Sequence, residues 1–212
     1  ALYNYKLHGG KLMATNSSQK NQNKIGGKDL ITIGIFTALY FVLIAVAGML
    51  GYIPIFIPLM VVLVPLIGGI PFMLFVTKAK KFGMVLIMGV LVGLCMLVGG
   101  MGYWALPISI VTSLIAELIL KSGNYTSAKK SVLGCGVFNM WILGNFVPFY
   151  VGDSYYATLA ERFGQAYVDT LQSYLPLWFI PVMIIASFAF GIVGALIGKS
   201  LCKKHFQRAG II

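Results

Sequence analysis

From Leu30 to Leu50, and again from Ile57 to Val76, the chain carries no charged side chain, and that one feature leaves few folds open. An apolar run of about 20 residues is what an α-helix needs to cross a hydrocarbon core of about 30 Å. Further apolar runs follow at Met84 to Val98, Tyr103 to Leu120, Ser131 to Tyr150 and Leu177 to Gly198. In lipid a spanning segment must satisfy its own backbone groups, so each run is read as a helix. The expected fold is all-α, a polytopic membrane protein of six transmembrane helices. The third run is short for a full crossing. The second contains Pro58, Pro65 and Pro71, so kinks are expected there.

Composition supports lipid as the main solvent. Of 212 residues, 59% are hydrophobic and 10% charged, against about 45–50% and about 25% in soluble domains. That supply cannot build a water-facing surface. There is room for one domain, residues 29–212. Residues 1–28 are expected to be a tag remnant followed by a disordered cytoplasmic lead, because Ala1 to Leu12 precede Met13-Ala14-Thr15, which reads like a natural start.

A formal charge of +11 would suggest nucleic acid in a soluble protein, but its placement points to the bilayer. Lys20, Lys24 and Lys28 precede the first run, and Lys78, Lys80 and Lys81 follow the second. Lys121, Lys129 and Lys130 follow the fourth, and Lys199, Lys203, Lys204 and Arg208 follow the sixth. Arg162 is the one basic residue expected outside. Positive residues concentrate on the cytoplasmic side of membrane proteins, so both termini are placed in the cytoplasm and the chain in the bacterial inner membrane.

The longest connection, Val151 to Pro176, places Tyr156, Leu159, Phe163, Tyr167, Leu171 and Tyr174 at helical spacing among interleaved charges. It is read as an amphipathic external helix that lies on the outer face or caps the bundle.

No catalytic set is legible. A membrane enzyme would need a nucleophile with a base, or carboxylates and histidines able to hold a metal. His8 and His205 lie outside the spans, and Asp29, Glu117, Asp153, Glu161 and Asp169 are scattered. No phosphate-binding glycine loop is present. Cys95, Cys135 and Cys202 are far apart and read as apolar filler rather than a disulfide or metal site. The reading is therefore of a non-enzyme without metal or cofactor. Glu117 is the one acid inside a span. Such acids are functional candidates, but it precedes Lys121 by four residues, so an interfacial i,i+4 pair is the simpler account.

The fifth run carries the strongest candidate site. On an α-helix Trp141 and Asn145 share a face, about 12 Å and about 6 Å below the outer end. Aromatic surface beside an amide suits a pocket for a small, partly polar ring. A core side chain with an interhelical hydrogen bond is the other reading, and it also fits Asn139, which faces elsewhere. Tyr103, Trp104, Tyr150, Asp153, Tyr174 and Trp178 fall at the same level. Interfacial anchoring explains such aromatics singly; their convergence with Asn145 raises the pocket. Small residues line several helices, among them Gly34, Ala38, Ala45 and Gly48 in the first, Gly89 and Gly93 in the third, and Gly191, Gly194, Ala195 and Gly198 in the sixth. They serve packing within one bundle or docking to another membrane protein.

Four stretches carry a family resemblance: KDLITIGIFTALYFV from Lys28, IGGIPFMLFVTKAKKFG from Ile67, AELILKSGNYTSAKKS from Ala116 and KKHFQRAGI from Lys203. From about Lys28 to Ile212 the chain resembles the S component of an energy-coupling factor transporter, in particular the Trep/Strep-type bacterial integral membrane family. The resemblance implies a six-helix subunit that captures a vitamin or related micronutrient at its outer face. It also implies partners: a transmembrane coupling subunit and two ATPase subunits. The family's docking signature, Ala-x-x-x-Ala in the first span, is replaced here by Gly34-x-x-x-Ala38 and Ala47-x-x-x-Gly51. A self-sufficient channel or secondary transporter is the rival reading, and it would want intramembrane ionisable groups.

The lysine pattern makes a direct prediction about sidedness. A cysteine introduced at Lys80 or Ser127 should react with an impermeant thiol reagent only after the cytoplasmic face is opened. Labelling in intact cells at either position would reverse the topology.

Overall fold

The computed structural model describes residues 24–202, with two short strands near the amino terminus; the side chains of those strands and of Asp153 are not part of the description. The expectations for residues 14–23 and for Lys203, Lys204, His205 and Arg208 therefore fall outside the described residues. The strands, β1 (Lys6–His8) and β2 (Lys11–Met13), pair antiparallel with Leu7 opposite Leu12. All other regular structure among the described residues is helical.

Among the described residues nine α-helices follow in order: α1 (Gly27–Gly48), α2 (Phe56–Lys78), α3 (Met84–Val98), α4 (Ala105–Ser122), α5 (Ala128–Asn139), α6 (Pro148–Val151), α7 (Asp153–Phe163), α8 (Gln165–Tyr174) and α9 (Phe179–Leu201). Short 3₁₀ turns extend α1 through Met49–Tyr52 and α5 through Met140–Asn145. Four helices, α1 with its extension, α2, α4 and α9, are long and apolar enough to cross a membrane; α3 is apolar but shorter, at 15 residues. The fifth run departs from expectation. It is not one α-helix but α5 followed by the 3₁₀ segment.

Helix α2 is the central element. In its most apolar stretch 67% of residues are buried, against 28% in α1 and α9, and it packs against α1, α5 and, most extensively, α9. Glycine explains how α9 comes so close. A Cβ at Gly69 would collide with the backbone of Gly194 and Ala195, and one at Gly194 would stand 2.6 Å from the Pro65 carbonyl oxygen. Gly198 lies similarly against the Gly69 carbonyl. Without side chains between them the backbones touch, which maximises dispersion where lipid supplies no hydrophobic drive. Pro65 and Pro71 do not break α2.

Helices α3 and α4 repeat the device with small residues. Gly89 faces Ser113 and Gly93 faces Ser109, so closely that a Cβ on either glycine would overlap the serine hydroxyl. Both serines return their hydroxyls to their own helix, Ser109 to the Leu106 carbonyl at 2.8 Å and Ser113 to the Ile110 carbonyl at 3.1 Å, leaving neither hydroxyl unpaired at the seam.

The lysine clusters meet at one end of the bundle. Lys81 bridges to Asp29 at 2.7 Å, and the Lys80 ammonium donates to the Tyr125 carbonyl at 2.8 Å. The start of α1, the α2–α3 loop and the α4–α5 loop are thereby tied together. The opposite, lysine-poor end gathers the α1–α2 connection, the start of α4, the 3₁₀ end of α5 and the α7–α8 pair. Gly194→Leu should lower the melting temperature of detergent-solubilised protein sharply, since overpacking costs about 1–3 kcal/mol or more. Gly34→Leu, where a Cβ meets nothing within 4 Å, should change it little.

Candidate functional site

The site is built on a buried hydrogen-bond chain. The Tyr40 hydroxyl, from α1, donates to Asn139 Oδ1 at 2.7 Å and accepts from Trp141 Nε1 at 2.7 Å. All three side chains are essentially excluded from solvent. Asn139 Nδ2 turns back to the Cys135 carbonyl at 2.9 Å, so every strong polar atom in the chain has a partner. Gly68 of α2 makes the room: a Cβ there would stand 2.7 Å from Asn139 Oδ1 and 2.9 Å from the Tyr40 hydroxyl. Asn139, which faces elsewhere than Asn145 in the sequence reading, is thus the structural hydrogen bonder.

Where Asn139 competes for its own helical acceptor, α5 tightens into the 3₁₀ segment. That corrects the expected geometry. At about three residues per turn Trp141 and Asn145 are rotated about 120° apart rather than sharing a face, and at about 2 Å rise they are spaced more widely along the axis. Gly144 lets the segment touch the start of α4, a Cβ there standing 2.8 Å from Ala105 Cα.

Above Trp141 lies a cavity of about 460 Å³, within the range of small-molecule sites, roughly 300–1,000 Å³. Trp141 and Ile142 form its floor, and Phe41, Ile44, Met60 and Met96 its walls, with Phe146 and Phe149 to one side. Asn145 also borders it: Nδ2 lies 3.6 Å from Met96 Sδ, while Oδ1 is buried with no partner. The Trp141 indole N–H is already committed to Tyr40, so this residue offers a ligand its ring alone.

The Val151 to Pro176 connection lines part of the cavity, though not as one helix. It breaks at Gly164, whose φ of 87° favours glycine, giving α7 and α8. Tyr155, Leu159, Arg162 and Phe163 from α7, with Tyr167 and Leu171 from α8, face the cavity. The Tyr167 hydroxyl donates to the Gly51 carbonyl at 2.6 Å, and Phe163 stacks on Tyr167 and meets the edge of Tyr52. This clamp fastens the cap to the α1–α2 connection. Burial pushes the Tyr155 phenol above its ordinary value, and the Arg162 guanidinium beside it partly offsets that.

Of the residues singled out from sequence, Trp141 and Asn145 border the cavity, whereas Tyr103, Trp104, Tyr150 and Trp178 do not. Tyr103 and Trp178 are 66% and 69% exposed, as interfacial anchors would be. The Asp153 side chain lies outside the description. Phe163 and Tyr167, which the helical spacing of the Val151 to Pro176 connection places on the cap, line the cavity with Leu159 and Leu171, whereas the methionines Met49, Met60, Met96 and Met101 in its lining carry no signal in the sequence. Among the proposed docking residues, Gly34 and Ala38 lie on the outer surface of α1 without neighbours from the bundle at Gly34. Ala45 and Gly48 instead border the cavity.

Glu117 is not paired with Lys121. It is fully buried, and its Oε2 accepts the Val85 and Leu86 N–H groups at 2.8 Å and 3.0 Å, capping the start of α3. Its Oε1 accepts the Tyr125 hydroxyl at 2.7 Å. Lys121 lies instead over the Phe82 ring, 4.8 Å from its centre. Burial and this hydrogen bond raise the Tyr125 phenol above its ordinary value. Among the described residues no group of three His, Cys, Asp or Glu could hold a metal, and all three cysteines are free.

Apolar helices joined by glycine seams, four of those described long enough to cross a bilayer, define an integral membrane protein. The chain belongs to the Trep_Strep family of hypothetical bacterial integral membrane proteins, whose model matches residues 27–208. No curated protein and no solved structure matches it significantly.

Tyr40→Phe keeps the ring but strands Asn139 Oδ1 and Trp141 Nε1, each at about 1–3 kcal/mol. Thermal melting of the purified variant should show a clear loss of stability, and an unchanged melting temperature would remove this chain of bonds from the framework.

Proposed function

We propose that the protein is a substrate-binding S component of an energy-coupling factor importer, capturing a vitamin or related micronutrient at the outer face. The observation that carries this reading is the aromatic- and methionine-lined cavity at the lysine-poor end, which the positive-inside rule turns outward. In this reading the chain spans the membrane six times with both termini inside. The shorter elements suffice: α5 and its 3₁₀ extension together reach about 30 Å, and α3 reaches about 22 Å before its connecting loop. The outward face of α1 at Gly34 and Ala38 would receive the transmembrane coupling subunit, with two ATPases supplying energy. A secondary transporter is less well supported, because the one acid buried in the described spans, Glu117, is engaged by three donors near the lysine-rich end.

The test is ligand affinity. The orphaned Oδ1 of Asn145 calls for a donor on the ligand, so Asn145→Ala should weaken binding by roughly ten- to hundredfold, about 1.4 kcal/mol per decade. Calorimetry on ligand recovered with the protein and identified by mass spectrometry would read this, with a ligand-free melt as control. Full affinity in the variant would place the site elsewhere. Ala38→Trp should leave the isolated subunit folded but weaken its co-purification with the coupling subunit; unchanged assembly would move docking to another helix.

A further inference from the structure

The chemistry around the cavity also limits what can fill it. Its lining carries one charged side chain, Arg162, and no acid. Arg162 makes no ion pair or side-chain hydrogen bond among the described residues, where the sole ion pair is Lys81 with Asp29. Arg162 is exposed, as is Glu161 before it; elsewhere on the cap Asp169 accepts from Gln165 Nε2 at 2.7 Å, and the Tyr167 hydroxyl is committed to Gly51. Also in the lining, the unpaired acceptor is Asn145 Oδ1. The rest of the lining is mainly aromatic, aliphatic and thioether, which suits a flat ring held by dispersion and sulfur contacts.

We propose that the cavity takes a ring-bearing organic anion with a single negative charge, its carboxylate or equivalent group set at Arg162 and a ring N–H or O–H directed at Asn145. This rests on the reading of the cavity as a capture site. A guanidinium presents a fork of N–H donors that matches a planar carboxylate. One such group balances one charge. A phosphate ester or polyanion would leave further charge unpaired against apolar walls, and a cation would face Arg162 directly. A wholly neutral ring would fill the cavity but leave the guanidinium unused.

Matched probes separate these cases. Indole-3-acetate and indole-3-acetamide share a ring and an N–H donor and differ in charge. Their affinities for the full chain in neutral detergent at low salt are read by calorimetry. The carboxylate should bind about tenfold more tightly, the scale of one charge-assisted bond, and the ratio should shrink with added salt. Arg162→Gln should bring the ratio close to one, and Arg162→Lys should retain part of it. Equal affinities in the unmodified chain would overturn the anion assignment while leaving ligand capture standing. A preference that survives Arg162→Gln would overturn the role of Arg162. Failure of both probes to bind would count against the capture site itself, and with it this inference.

Discussion

The Tyr40 hydroxyl, held between Asn139 and Trp141, is the interaction on which the site depends. It joins α1 to the point where α5 becomes a 3₁₀ turn, and Gly68 of α2 leaves the space it occupies. In a low-dielectric interior such a chain is costly if half-made and rigid when complete. Here it is complete, so the Trp141 ring is fixed as a floor and the segment beyond it is set against the start of α4. Asn145 and the aromatic wall follow from that placement.

Around this chain the bundle is assembled without a hydrophobic drive between helices, since lipid tails are as apolar as leucine. Close backbone approach takes its place. Gly69, Gly194 and Gly198 bring α2 and α9 together, and Gly89 and Gly93 fit against Ser113 and Ser109. Glu117 serves the same economy at the other end, where a buried carboxylate closes the exposed N–H groups of α3 and fixes the α4–α5 loop through Tyr125. An acid that would suggest ion coupling is thus a structural cap.

The two ends of the bundle differ accordingly. At the lysine-rich end polar bonds lock three connections together. At the opposite end the cap is held by the buried Leu171 and Leu175 in the core, by contacts of Phe149 with Tyr155 and Tyr156, by the Tyr52, Phe163 and Tyr167 rings and by one bond to the Gly51 carbonyl.

The sequence alone determined the membrane class, the helical runs, the lysine clustering and the amphipathic nature of the cap, because these depend on local periodicity and on the length a bilayer imposes. Trp141 and Asn145 were legible as a polar and aromatic pair inside an apolar run. Tertiary structure decided the rest. That Asn139 takes the structural bond while Asn145 Oδ1 is left open depends on Tyr40, which is remote in sequence. That Glu117 turns from Lys121 to the start of α3 depends on the packing of α3 against α4. The arrival of Arg162 at the cavity likewise comes from contacts between distant segments, which no local pattern encodes, whereas the break at Gly164 is a local property of a glycine with φ of 87°.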